Sequence, residues 1–334
     1  MAASLPKQLR KVTDKALLKK LETGLETVEA ALEVAVSHTD PIASVTARHL
    51  SDAGGKRIRP TLVLLASQLG EANAQEAIDA SVVVELTHLA TLYHDDVMDD
   101  APMRRGVPTA HEIWGNSVAI LTGDLLFARA SQVVSRLGER ALTLQANTFE
   151  RLCLGQLHET VGPQPGEDAV EHYIQVLADK TGSLIAASAE LGIMFSGAPI
   201  EYLEPMRVYG EKIGVAFQLI DDVIDIFSDG ETSGKTPGTD LLAGVPTLPI
   251  LLLRKDALTN PESQLLIDRI DAGLTPETLP EVVAALRLHP ATQLANDEAQ
   301  RWASEAVDAL APLPEGPVKK ALAIFAQAVV DRQQ

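Results

Sequence analysis

Two-residue alternation of apolar and polar side chains is nearly absent from this sequence, whereas Ala, Leu, Val and Glu dominate it. Strands need the first pattern and helices use the second, so an all-α fold follows. Aromatic residues, which strands collect, make up only 4%. Helical windows fall at about 14–37, 40–52, 58–70, 74–99, 116–137, 140–161, 168–197, 201–228 and 246–256, with more to about 331. Breaks are marked by Gly54-Gly55, Pro102, GPQPGED (162–168), SGAP (196–199), SDGETSGKTPGTD (228–240) and LTPETLP (274–280). The 334 residues suffice for one large domain or two ordinary ones. No Pro/Ser-rich linker separates two halves and no repeat of solenoid length recurs, so one domain over 1–334 is the economical expectation.

Two acidic segments interrupt this apolar helical background. DDVMD at 95–99 follows VVVELTHLATLY, and DDVID at 221–225 follows IGVAFQLI. On a helix, Asp95 and Asp99 share a face with Asp96 beside them, and Asp221, Asp222 and Asp225 repeat the spacing. Like charges four residues apart destabilise an isolated helix, which calls for a compensating cation. All-carboxylate oxygen ligands suit Mg²⁺, an ion commonly shared between one or two carboxylates and substrate phosphates. One such segment alone reads as a solvated acidic face; two inside apolar helices point to a metal–diphosphate site. Neither segment has the loop pattern of an EF-hand.

Basic residues gather close by. GGKRIRP (54–60) offers Lys56, Arg57 and Arg59 on a glycine-led loop entering a helix, and Arg104 and Arg105 follow the first aspartates. The chain as a whole carries a formal charge of −18, which opposes nucleic-acid binding but leaves local anion sites open. Cys153 is the only cysteine, excluding an intrachain disulfide and a cysteine zinc cage and fitting a cytoplasmic location. No uninterrupted apolar run approaches the roughly 18 residues of a transmembrane segment, and the N-terminal stretch reads as an amphipathic helix.

GGKRIRP, HDDVMDDAPMRRG, GNSVAILTGDLLFARA, DKTGSL, GVAFQLIDDVID and GKTPGTDLLAGVPTLP, in this order, resemble the trans-polyprenyl diphosphate synthases, the head-to-tail prenyltransferases. Within that family the likeness is strongest to actinobacterial long-chain enzymes serving quinone side chains. The resemblance covers roughly residues 40 to 250. It implies a helical bundle around a deep central active-site cavity, in a homodimer, with the 14–37 helix at a dimer or domain edge. It further implies that Asp95, Asp99 and Asp221 are the principal Mg²⁺ ligands, supported by Asp96, Asp222 and Asp225. Arg104, Lys180, Thr181, Gln218 and Lys235 would contact the allylic diphosphate. Lys56, Arg59, His88 and Arg105 would hold isopentenyl diphosphate. On spacing alone His88 reads equally as a core histidine, Gln218 as a structural amide and the Lys235 loop as a connector; the resemblance decides them. Where many relatives carry a lysine before TLP this chain has Val245, and Arg332 is its one basic residue near the C-terminus.

The chemistry implied is ionisation of farnesyl or geranylgeranyl diphosphate, capture of the cation by isopentenyl diphosphate, and loss of a proton. Product length would depend on residues preceding the first aspartates. Short-chain relatives place a large residue at the position of Ala90 or Thr91; here Ala90, Thr91 and Thr87 are small, and Val82 lies about 20 Å back along the helix. A product of six or more isoprene units is expected, with geranylgeranyl diphosphate as runner-up and Phe127 as a candidate floor; Ala90→Phe should shorten the chain. Terpene cyclases generally lack GGKRIRP and RRG, and regulatory subunits usually lose the aspartates or basic ligands. This chain keeps both sets, which disfavours either alternative.

Overall fold

The computed structural model describes residues 5, 6, 9, 11–71, 74–227 and 237–331. Lys235 and Arg332 lie outside them. In α1 (Lys15–Val36), buried Leu17, Leu21, Leu25, Val28, Leu32 and Val36 recur every three or four residues and form one stripe. Asp14 caps this helix by accepting the Leu17 N–H at 2.8 Å. α2 (Pro41–Asp52) starts alike, with Asp40 as cap and Pro41 where no N–H is needed. α3 (Ile58–Ser67), α4 (Ala74–Met98), the short α5 (Ala110–Trp114) and α6 (Asn116–Val134) follow, and α4 packs against α1, α3 and α6. Its middle turns are buried on every side from Ala80 to Thr87, which explains why this stretch shows no polar stripe. The buried Tyr93 hydroxyl donates to Thr46 O at 2.5 Å and accepts the Leu50 N–H at 3.2 Å, tying α2 to α4.

The chain continues through α7 (Glu139–Val161), α8 (Ala169–Leu177), a π-helical turn (Ala178–Gly182), α9 (Ser183–Met194) and α10 (Leu203–Phe227). α11 (Thr239–Leu242), α12 (Leu248–Ala257), α13 (Pro261–Asp271), α14 (Leu279–Leu288), α15 (Pro290–Ala309) and α16 (Pro317–Val330) complete it. Backbone contacts group these into two compact units. One contains Met1–Arg151, Leu184–Gly210 and Ala309–Phe325; the other contains Leu152–Ser183, Glu211–Asp308 and Ala326–Gln334. In the second unit Ile226, Leu241, Ile250, Leu253, Val282 and Leu286 share one apolar core, which anchors the end of α10.

The all-α expectation holds, with two local departures. Met103–Arg104 and Val107–Pro108 form a small antiparallel ribbon, in register Met103 to Pro108 and Arg104 to Val107. Its two-residue turn has φ of 54° at Arg105 and 80° at Gly106, as a mirror-image hairpin turn demands. The helical window at 168–197 is also broken, by the π-helical turn. There a Cβ on Gly214 of α10 would lie 2.5 Å from Gly182 Cα, so the two backbones approach as only glycine permits. By length and composition the helical stretch Asn116–Leu137 could span a membrane. Counting uninterrupted apolar runs passes over it because Asp124, Arg129 and Arg136 punctuate the sequence. Its inner face packs on α4, and buried helices of water-soluble proteins pass the same test.

Gly214→Ala should destabilise the protein by about 1–3 kcal/mol, the usual cost of overpacking. A chemical denaturation midpoint equal to that of the wild type would contradict this close approach.

Candidate active site

Both acidic segments lie at helix C-termini: Asp95 and Asp96 in the last turn of α4 with Asp99 directly after it, and Asp221–Asp225 in the last turns of α10. A helix C-terminus already carries negative potential, so carboxylates there are doubly unfavourable without a cation. In the first segment Asp95 is half-buried and Asp99 exposed, whereas Asp96 is 1% exposed and turned inward. Arg104 Nε donates to Asp96 Oδ1 at 2.6 Å, linking the ribbon to α4. Burial pushes the Asp96 carboxyl up while Arg104 pulls it down, and burial prevails. Oδ2 of Asp96 is buried with no hydrogen-bond partner.

Arg105 folds back from the ribbon turn. Its Nη1 donates to Leu50 O at 2.8 Å and to Gly54 O, and its Nη2 lies 3.9 Å from Glu85 Oε1. A side chain at Gly55 would meet this guanidinium at 3.1 Å, a physical reason for glycine there. Within GGKRIRP the three cations separate. Lys56 is exposed and Arg59 is half-buried with an unpartnered, buried Nε, a donor that an anion would satisfy. Arg57 instead runs inward, with Nη1 2.7 Å from Glu85 Oε1 and Nε 2.5 Å from Glu29 Oε1. Burial opposes its charge, yet the two carboxylates more than offset this and its pKa goes up. The opposite balance holds at Arg59, where burial and neighbouring Arg105 outweigh Glu85 and lower the pKa to about 10. Burial and then Arg59, Arg105, Arg104 and Arg57 drive His88 well below its ordinary value, so it is neutral. The first unit therefore gathers Asp95, Asp96, Asp99, His88, Arg59, Arg104 and Arg105 about the end of α4.

The second unit holds Asp221, Asp222 and Asp225 with different surroundings. Asp222 is 7% exposed; its Oδ2 accepts the Tyr173 hydroxyl at 2.7 Å and the Leu248 N–H at 3.3 Å. Burial pushes this carboxyl up to about 8 despite both donors, with Asp240 and Asp221 adding to the rise. Asp225 caps α11, accepting the Thr239 N–H at 3.2 Å, the Thr239 hydroxyl at 2.6 Å and the Asp240 N–H at 3.2 Å. Asp221 and Gln218 are half-buried on α10. Lys180 and Thr181 sit in the π-helical turn, where Lys180 Nζ pairs with Glu159. Such turns concentrate at functional positions.

Among the candidate length-determining residues, Ala90 and Thr87 are buried, and Thr91 and Phe127 half-buried. Phe127 stacks on Phe149 with ring centroids 3.8 Å apart. Sequence reasoning overlooked Glu85, Glu29 and Tyr173. Glu85 left a signal: a lone carboxylate in the apolar run VVVELTH has to be paired if the run is buried. Glu29 and Tyr173 left none, because their partners are 28 and 49 residues away.

The carboxylate oxygens fit a hard divalent cation such as Mg²⁺. Among the described residues no three His, Cys, Asp or Glu side chains form a ready cage.

The family model for polyprenyl synthetases matches residues 40–285. The chain belongs to this family. It is thus a prenyltransferase, as its ordered motifs implied. It is 41% identical to nonaprenyl diphosphate synthase of Mycobacterium tuberculosis over 314 residues, covering 93% of both chains. Component 2 of Bacillus subtilis heptaprenyl diphosphate synthase is 33% identical, covering 94% of this chain and 89% of that one. Among solved structures, geranylgeranyl pyrophosphate synthase of Corynebacterium glutamicum, complexed with calcium and isoprenyl diphosphate, superposes with a TM-score of 0.86 at 42% identity, covering 96% of this chain and 99% of that one.

In this polyprenyl synthetase Tyr173→Phe would leave the buried Asp222 carboxyl with one fewer donor. A loss of about 1–3 kcal/mol in folding stability is expected, read from urea denaturation. An unchanged midpoint would show that the hydroxyl contributes nothing.

Proposed function

We propose that this polyprenyl synthetase extends farnesyl or geranylgeranyl diphosphate with isopentenyl diphosphate to an all-trans chain of six or more isoprene units. Asp95, Asp99 and Asp221 would hold Mg²⁺, with Asp96, Asp222 and Asp225 supporting them; the buried bonds of Asp96 and Asp222 favour an orienting part for those two. When bound, the ion neutralises charge on the departing diphosphate. Arg104, Lys180, Thr181, Gln218 and Lys235 would steady that group, so the allylic C–O bond breaks with its electron pair leaving on oxygen. Lys180 must first exchange Glu159 for phosphate. Lys56, Arg59, His88 and Arg105 would hold isopentenyl diphosphate, whose double bond attacks the cation; a proton then passes to the released diphosphate. Neutral His88 serves as a donor without adding to the repulsion among the arginines.

The observation that carries the chain length is the small size of Thr91, Ala90 and Thr87. Thr91 and Thr87 donate their hydroxyls to His88 O and Val83 O at 2.8 Å, so neither leaves an unmet polar atom. Threonines satisfied in this way act as small apolar wall residues. The nonaprenyl and heptaprenyl relatives agree with a long product. Geranylgeranyl diphosphate is the second reading, favoured by the likeness to the Corynebacterium enzyme. The same reading includes one catalytic domain, a homodimer, a cytoplasmic setting and a quinone side chain as destination. Exposed Ile113, Ile120, Leu121 and Leu142 in the first unit supply apolar surface for a second copy.

Purified protein given Mg²⁺, labelled isopentenyl diphosphate and each allylic primer should yield products of six or more units, and excess chelator should abolish incorporation. Absence of product with every primer would end the reading and turn attention to a partner subunit. Thr91, four residues before Asp95 on the same helix face, is the sharper site for a length test than fully buried Ala90. Thr91→Phe should shorten the product on chromatography; an unaltered length would remove Thr91 from the wall.

A further inference from the structure

Arg57 is the N-cap residue of α3 and has φ of 47°, a left-handed backbone conformation that residues other than glycine hold only under constraint. The constraint is its own side chain, which is 3% exposed. Nε and Nη2 meet the two oxygens of Glu29 at 2.5 and 3.1 Å, while Nη1 meets Glu85 Oε1 at 2.7 Å. A two-pronged pairing of this kind fixes orientation as well as charge. Glu29 lies on α1, outside the span 40–285 that matches the family.

The consequence falls on the neighbours of Arg57. Lys56 precedes it directly and Arg59 follows two positions later, so any relaxation of the Arg57 backbone moves both. Glu85 is shared: it pairs with Arg57 and lies 3.9 Å from Arg105, which itself donates to Gly54 O at the start of the same loop. With Glu29 removed, Arg57 would keep Glu85 as its one carboxylate, beside the Ser51 O that Nη2 reaches at 3.4 Å, and would compete with Arg105 and Arg59 for that carboxylate. Three guanidinium groups then face one carboxylate rather than two.

We infer that Glu29 is a positioning residue for the isopentenyl diphosphate site: by clamping Arg57 it holds the 54–59 loop so that Lys56, Arg59 and Arg105 meet one diphosphate. This rests on reading those three cations as that site. The N-terminal helix thereby takes part in substrate selection without touching substrate.

Glu29→Gln in the full chain tests it by steady-state kinetics. The KM for isopentenyl diphosphate should rise about tenfold, the effect of losing one charge-assisted hydrogen bond, while the allylic KM and the Mg²⁺ dependence stay at wild-type values. A merely structural part would move both KM values together, and that result overturns the inference, as does an unchanged isopentenyl diphosphate KM. Glu29→Asp keeps the charge on a shorter arm and should give an intermediate, equally selective rise; it carries the test if Glu29→Gln does not fold. Lys56→Ala in parallel separates the two levels. If it leaves the isopentenyl diphosphate KM unchanged, the assignment of the site itself fails.

Discussion

Two helices of this protein end in carboxylates that their own backbones repel. α4 ends at Met98, within Asp95–Asp99, and α10 ends at Phe227, just after Asp221–Asp225, each where the helix dipole is negative. Much of the surrounding chemistry answers that excess. In both segments the second aspartate is drawn inward, Asp96 to Arg104 and Asp222 to Tyr173 and the Leu248 N–H. The first aspartate of each pair stays half-buried beside it. Adjacent positions on a helix point about 100° apart, so burying one carboxylate sets the direction of its neighbour.

The cationic side of the site obeys the same rule of buried pairing. Arg57 is neutralised by Glu29 and Glu85, which leaves Lys56 exposed and Arg59 with an unpartnered Nε. Backbone strain marks the place: Arg57, Asp100 and Arg105 are the three non-glycine residues with positive φ among those described, and two belong to this cluster. Strain of that kind persists where surrounding contacts over-determine a conformation. Burial, reinforced by the same arginines, holds His88 neutral.

Much of this was legible beforehand. The helical windows at 140–161 and 201–228 correspond to Glu139–Val161 and Leu203–Phe227, because apolar stripes act locally. The 168–197 window was harder. Nothing local breaks the helix at Ala178–Gly182, and the turn coincides with a close approach of Gly182 to Gly214, 32 residues later. Arg57 was legible as a cation but not as an inward one, since GGKRIRP carries no mark of which basic residue meets a carboxylate from α1.

The sequence by itself determined the all-α class, the two acidic helix ends, the basic loop and the family, since periodicity and ordered motifs depend on residue type and spacing. Only the tertiary structure decided which member of each charged group is buried. It set Asp96 against Arg104, Asp222 against Tyr173 and Arg57 against Glu29. Burial of a charge requires a partner in space, and two of those three partners stand 28 or more residues away along the chain.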